Sequence, residues 1–194
     1  TGLSLPSLLE HHRDEVLNNQ ISTYQYILRA PVETKDKQAE KFAVRNLELG
    51  EATVQVFGVQ KDSHFLPKVS EGLQTHEAVL SNGLTSKYQL VEGDTLELSQ
   101  KYSDEKYSFD AGETVYYPAG FAVFVTLDDF RTMFDCDDQY FTGYLTDHQL
   151  DDLDDAVIAS IHSESDLTAA LDQLMNSLGQ VFQIMAGFSV ILFF

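Results

Sequence analysis

The sequence predicts an α+β fold: a mixed-sheet domain flanked by an N-terminal helix and a long C-terminal helix that leads into a membrane span. Three observations carry this. Helical spacing marks the two ends of the chain, while strand-like alternation dominates between them. Apolar strand-like runs such as Thr53–Gln60 (TVQVFGVQ) and Ala122–Thr126 (AVFVT) are interspersed with helix-like runs. The last stretch, Leu178–Phe194 (LGQVFQIMAGFSVILFF), has no charge and does not match the acidic body before it.

Leu5–Gln20 opens the chain as an amphipathic helix, with Ser4 as its cap, Pro6 in the first turn and Leu8, Leu9, Val16 and Leu17 near helical spacing. At Ile21–Arg29 (ISTYQYILR) the pattern changes to β-branched and aromatic alternation, the mark of a strand. Ala30–Lys41 is charged, contains Pro31 and reads as a connection. Phe42–Glu48 and Thr53–Gln60 follow as strands, and Ser63–Pro67 as a loop or short turn. Glu77–Leu80 is a short extended run, Asn82–Leu90 a short helix, and Val91–Asp94 a turn into the strand Thr95–Gln100. Tyr107–Asp110 and Thr114–Tyr117 continue the β pattern, and Ala122–Thr126 is the most apolar strand of all. Leu127–Phe134 (LDDFRTMF) is a helix whose positive end carries Asp128 and Asp129. Tyr140–Leu145 and Ala156–His162 read as strands on either side of the Asp-rich stretch from Asp147 to Asp155.

Ser163 and Asp166 are a weak form of the capping box at the start of a last helix. From Ser165 to Phe194 only Gly179 and Gly187 interrupt it, and helices entering membranes tolerate glycine. Val181–Phe194 lacks the polar stripe of a helix packed on one face. Its length is that of an unfinished span, since crossing a bilayer takes ~20 apolar residues. The expected organisation is a stalk helix at residues 1–20, an α+β domain at 21–164, and a stalk helix continuing into a membrane helix at 165–194. A domain inserted between consecutive membrane helices has this layout, because both of its ends must face the bilayer. No secretory signal marks the amino end, so a chain outside the cell would need a membrane helix before Thr1.

The formal charge is −19 with only 12 Lys plus Arg, which excludes nucleic acid as the expected partner, because phosphate binding rests on cationic side chains. Anionic lipid surfaces are disfavoured for the same reason, whereas cationic peptides would be steered inward. Cys136 stands alone, so no internal disulfide forms. Flanked by Asp135, Asp137 and Asp138, it is not read as a nucleophile.

The stretch Glu77–Leu98 (EAVLSNGLTSKYQLVEGDTLEL) resembles the large extracellular domain of FtsX-like, MacB-type ABC transporter permeases of Gram-positive type. In that family a short strand and a small helix lead through a Gly-Asp turn into the next strand, and Leu90, Gly93, Asp94 and Leu96 stand at those places. The passages Ala122–Phe134 and Asp166–Phe194 match in order and layout, so the resemblance extends from about Ile21 onward. It implies an outer domain of a permease subunit in the cell membrane, facing the extracellular side, with a separate cytoplasmic ATP-binding subunit as partner. A second permease copy and a peptide or lipid substrate are further implied partners. It implies no catalytic residue, no metal and no cofactor. The alternative is an anchored, acidic surface protein that binds a ligand without a transport role.

Other candidate sites are weaker. Asp128, Asp129, Asp135, Asp137, Asp138, Asp147, Asp151, Asp152, Asp154 and Asp155 offer hard-cation ligands. An EF-hand loop starting at Asp135 fails, however, with Tyr140 at its sixth place and Thr146 at its twelfth. His11, His12, His64, His76, His148 and His162 show no zinc-ligand spacing and read as exposed or loop histidines. Tyr102, Tyr107, Tyr116, Tyr117, Phe121, Phe124 and Tyr140 would line a groove for peptide or lipid, although packing is the commoner use of strand aromatics. In the turn Tyr117–Phe121 an aromatic is placed for exposure. No nucleophile elbow, phosphate loop or HExxH helix occurs.

Overall fold

In the computed structural model Tyr24–Leu28 (β1) and Ile158–Ser163 (β9), the first and last strands among the described residues, lie side by side. The structure describes residues 24–73, 77–117 and 119–163. Between the two strands run Glu40–Leu49 (β2), Ala52–Val59 (β3), the helix Pro67–Gly72 (α1), Ala78–Ser81 (β4) and the helix Asn82–Tyr88 (α2). Thr95–Ser99 (β5), Lys106–Val115 (β6), Ala122–Thr126 (β7), the helix Leu127–Met133 (α3) and Gly143–Thr146 (β8) complete the set. The fold is mixed α+β: one large mixed sheet and few helices. The expected terminal helices, residues 1–20 and 165–194, lie outside the described residues. Among the described residues no helix is long and apolar enough to cross a membrane.

The strand order is β3-β7-β4-β6-β5-β2-β8-β1-β9, and β3 also pairs with β2. The strands from β3 to β2 therefore form a closed ring, sealed between β2 and β5 through the single pair Glu48↔Ser99. β3–β7 and β4–β6 are parallel, which requires crossover connections, and the other pairs are antiparallel. Alternate residues fill the ring: Ala43 and Leu47 on β2, Val54 and Val56 on β3, Leu96 and Leu98 on β5, and Val123 and Val125 on β7 all belong to one buried cluster. Strand periodicity thus becomes an inside and an outside. Phe130 of α3 and Phe134, the residue that caps its C-terminal end, pack into the same cluster. Gly58 makes room for α3, because a Cβ there would stand 2.5 Å from that of Phe130.

On the outer face, Phe57 and Phe124 stack at 5.3 Å, and Val69 of α1 and Leu73 beside it join their cluster. A third cluster, with Tyr26, Tyr144, Leu150 and Leu153, belongs to the extension formed by β8, β1 and β9. β2 belongs to both parts, its first residues pairing with β8 and its remainder with β3.

The expected strands at Ile21–Arg29, Phe42–Glu48, Thr53–Gln60, Thr95–Gln100, Ala122–Thr126 and Ala156–His162 each contain or overlap an observed one. Three details differ. The two β stretches from Tyr107 to Tyr117 are a single strand, β6, continuous through Ala111-Gly112-Glu113. Tyr140 is not in a strand: its amide closes a turn on the Asp137 carbonyl (2.8 Å), and β8 begins only at Gly143. The helix α1 was absent from the sequence expectation.

Candidate functional site

The Gly-Asp turn ahead of β5 is built as its sequence requires. Gly93 has φ +90, a conformation that a Cβ disfavours, and the Asp94 carboxylate accepts the Val91 amide at 2.9 Å. Gly93 N–H and Asp94 C=O then bond to Ala111 of β6 (2.7 and 2.8 Å), so the turn fixes where β5 starts.

Three of the aspartates, Asp137, Asp152 and Asp154, hold backbone amides. Asp152 accepts the Thr34 hydroxyl and the Lys35 amide, both at 2.7 Å, which lowers its pKa, first through Lys35 and then through Thr34. Asp137 accepts the Gln139 amide and Asp154 the Ala156 amide, each at 2.8 Å. Asp129 and Thr126 cap α3 reciprocally: the Thr126 hydroxyl donates to the carboxylate at 2.6 Å and accepts the Asp129 amide at 3.1 Å. Asp128 pairs with Arg131 at 3.2 Å. Among the described residues no three His, Cys, Asp or Glu side chains are grouped to hold a metal ion.

His148 is the most strongly engaged histidine described. Its Nδ1 meets Asp147 at 2.6 Å and its Nε2 meets Asp36, so the imidazole joins the β1–β2 connection to the turn after β8. The Asp147 contact first, and that with Asp36 second, raise its pKa. Asp36 is lowered, first by the Gln38 amide and then by His148. With a carboxylate at each ring nitrogen, on opposite sides of the ring, the group suits an ion pair and not shared coordination of one metal.

Glu40 is the buried carboxylate of the described core. It accepts the Ser63 hydroxyl at 2.5 Å and the His64 amide at 2.7 Å, with His64 Nδ1 at 3.2 Å. Ser, His and Glu meet here, but not as a triad. The serine hydroxyl donates to the carboxylate, and the imidazole, 90% exposed, meets that carboxylate and not the serine, so histidine is not placed as its base. The cluster clamps the loop after β3 to the start of β2.

Most of these aromatics serve packing. Phe124 is core, Tyr117 meets it edge-on at 5.5 Å, and burial pushes the Tyr117 pKa up to about 12. Tyr107 contacts Phe134 at 4.6 Å, and Tyr140 stacks on Phe130. Phe121 is half-buried against Tyr88, with Lys87 over its ring at 5.1 Å, which corrects the expectation of an exposed aromatic in that turn. Tyr102, on the β5–β6 hairpin, is instead 95% exposed. Cys136 is half-buried, with its thiol 3.6 Å from the Phe134 carbonyl.

An open cleft of about 610 Å³ lies between α3 and the ends of β2 and β3, lined by Lys41, Lys61, Arg131, Asp128 and Asp138 among others. Lys41 is already held by Glu33 at 2.5 Å, and Arg131 Nε donates to the Tyr140 carbonyl at 2.9 Å. The Thr126 hydroxyl in its lining is used in the α3 cap. No protein-family model matches the chain, and no curated protein matches it in sequence.

Proposed function

We propose that the chain is the extracytoplasmic domain of an FtsX-like, MacB-type ABC transporter permease subunit. In this reading it couples ATP hydrolysis by a separate cytoplasmic subunit to export of, or mechanical work on, a peptide, lipid or lipoprotein. The observation that supports it most is the pairing of Tyr24 with Ser163. The body receives and releases the chain at one place, as a domain hung from two neighbouring membrane helices must. The uncharged run from Leu178 to Phe194 supplies the second of those helices, and the strand-helix-turn-strand order from Ala78 to Ser99 matches the layout of the resemblance.

The test is alkaline extraction of membranes from cells that produce the chain. The full chain is expected to stay in the membrane pellet, and a version ending at Ser177 to be released while still unfolding cooperatively. Release of the full chain, or loss of the thermal transition on truncation, overturns the membrane assignment. The coding sequence upstream of residue 1 separates the two anchored readings: a permease requires an apolar span there, whereas a surface ligand-binding protein requires a signal peptide.

A further inference from the structure

The cleft beside α3 contains an arginine whose charge the fold pairs incompletely. The Arg131 side chain is only 15% exposed, yet Asp128, its carboxylate partner at 3.2 Å, is 92% exposed. An ion pair opened so widely to water stabilises little. Arg131 Nε donates to the Tyr140 carbonyl at 2.9 Å and Nη1 to Asp128, while Nη2 has no partner among the described residues. A guanidinium largely withdrawn from water is stabilised when a carboxylate completes its hydrogen bonds. Two further cations line the same cleft, Lys41 from the start of β2 and Lys61 from the turn after β3. Three of the chain's 12 Lys and Arg residues thus meet in one cleft of a chain of charge −19. Glu33 already neutralises Lys41, so the exposed Lys61 is the charge available beside Arg131.

Charge and lining decide what fits there. A bare anion such as phosphate would meet Asp128, Asp129 and Asp138 in the same lining, and the repelling field of the whole chain. A ligand with both a carboxylate and an ammonium is net neutral and escapes that repulsion. Arg131 and Lys61 suit its carboxylate, and Asp138, exposed in the turn after α3, suits its ammonium. Val59, Leu73 and Leu127 add an apolar part to the lining, against which an uncharged side chain loses water. The volume of about 610 Å³ lies within the ~300–1,000 Å³ of small-molecule sites and exceeds what a single amino acid fills. We propose that this cleft binds a short apolar peptide with both ends free, its carboxylate on Arg131 and Lys61 and its ammonium on Asp138. This inference does not rest on the membrane assignment.

The experiment is calorimetric titration of the full chain with dileucine, N-acetyl-dileucine, dileucine amide and inorganic phosphate. Dileucine is expected to bind saturably, and each of the other three at least about tenfold more weakly, the scale of a lost charged hydrogen bond. Asp138→Asn and Lys61→Gln, both at exposed positions, are each expected to weaken dileucine about fivefold, as surface charges do. Asp138→Asn should leave the N-acetyl form unaffected, because that form has no ammonium to lose. Lys61→Gln should likewise leave the amide unaffected, because it has no carboxylate. The proposal is overturned if dileucine shows no saturable binding by about 10 mM, which would leave the cleft to solvent. It is also overturned if the acetylated form or phosphate binds as tightly as dileucine, which would make the cleft a plain anion site. Equal binding of the amide would remove the carboxylate from the account and overturn it too.

Discussion

His148 carries a carboxylate at each ring nitrogen, and only the imidazolium donates at both. Its raised pKa sets the sign of a pH dependence. The stabilisation is complete below the ordinary histidine value of 6.5 and is lost as pH rises through the raised one. The lowered Asp36 acts at the other end: its share is present above 3.8 and is lost as pH falls through its lowered value. The margin by which the chain outlasts His148→Gln in denaturant should thus be widest near about pH 5.5 and shrink toward about pH 9. A margin unchanged across that range would remove the ion pair from the account. Two glycines give a steric counterpart. Gly58→Ala drives a methyl onto Phe130 and should lower unfolding free energy by about 1–3 kcal/mol. Gly143→Ala should cost about 3 kcal/mol or more, because its Cβ meets the Tyr26 carbonyl and the Phe42 ring and the backbone must move. None of this was legible in the sequence: His148 and Asp36 are 112 positions apart, and nothing in GYLT reports which ring crosses above the glycine.

Elements were legible where a local pattern specified them. AVFVTLDDFRTMF shows a buried strand and acidic first-turn residues, and the structure uses both, with Thr126 added as the cap between them. Thr126→Ala should cost about 1 kcal/mol in thermal or chemical unfolding, the usual worth of such a cap. Phe130→Ala, at a fully buried position where α3 meets the ring, should cost about 3–5 kcal/mol. α1 escaped because six residues with proline at the start and no side-chain cap are too few to show a period. The continuity of β6 was hidden by Ala111-Gly112-Glu113, whose Gly112 faces Glu77 with no space for a Cβ. Tyr140-Phe141-Thr142 mimics a strand in composition, but Thr142 instead bridges to β2, its amide bonding the Phe42 carbonyl and its hydroxyl accepting the Val44 amide, both at 2.8 Å. The parallel pairings β3–β7 and β4–β6 depend on non-local contact and leave no local trace.

At the scale of the molecule, the layout of a sheet domain between two ends that return to one place came from the order of patterns, and the β1–β9 pairing realises its central part. Paired antiparallel residues stand ~4.5–5.5 Å apart at Cα, within reach of a disulfide. Tyr24→Cys combined with Ser163→Cys should therefore oxidise without distortion and add about 2–4 kcal/mol to stability, read as the difference between oxidised and reduced unfolding curves. Failure to cross-link would place the two ends apart and withdraw the main support for a domain hung from two membrane helices. The same pairing gives the domain two mechanical responses. Drawing its ends apart sideways loads Tyr24/Ser163 first, then Gln25/His162, so the strands unzip one pair at a time under small force. Drawing both ends together along the strand direction loads the whole β1–β8 and β8–β2 ladders in shear, where many hydrogen bonds must fail at once. Such a body is compliant to separation of Tyr24 from Ser163 and stiff to their common movement, so a joint pull displaces it as one piece.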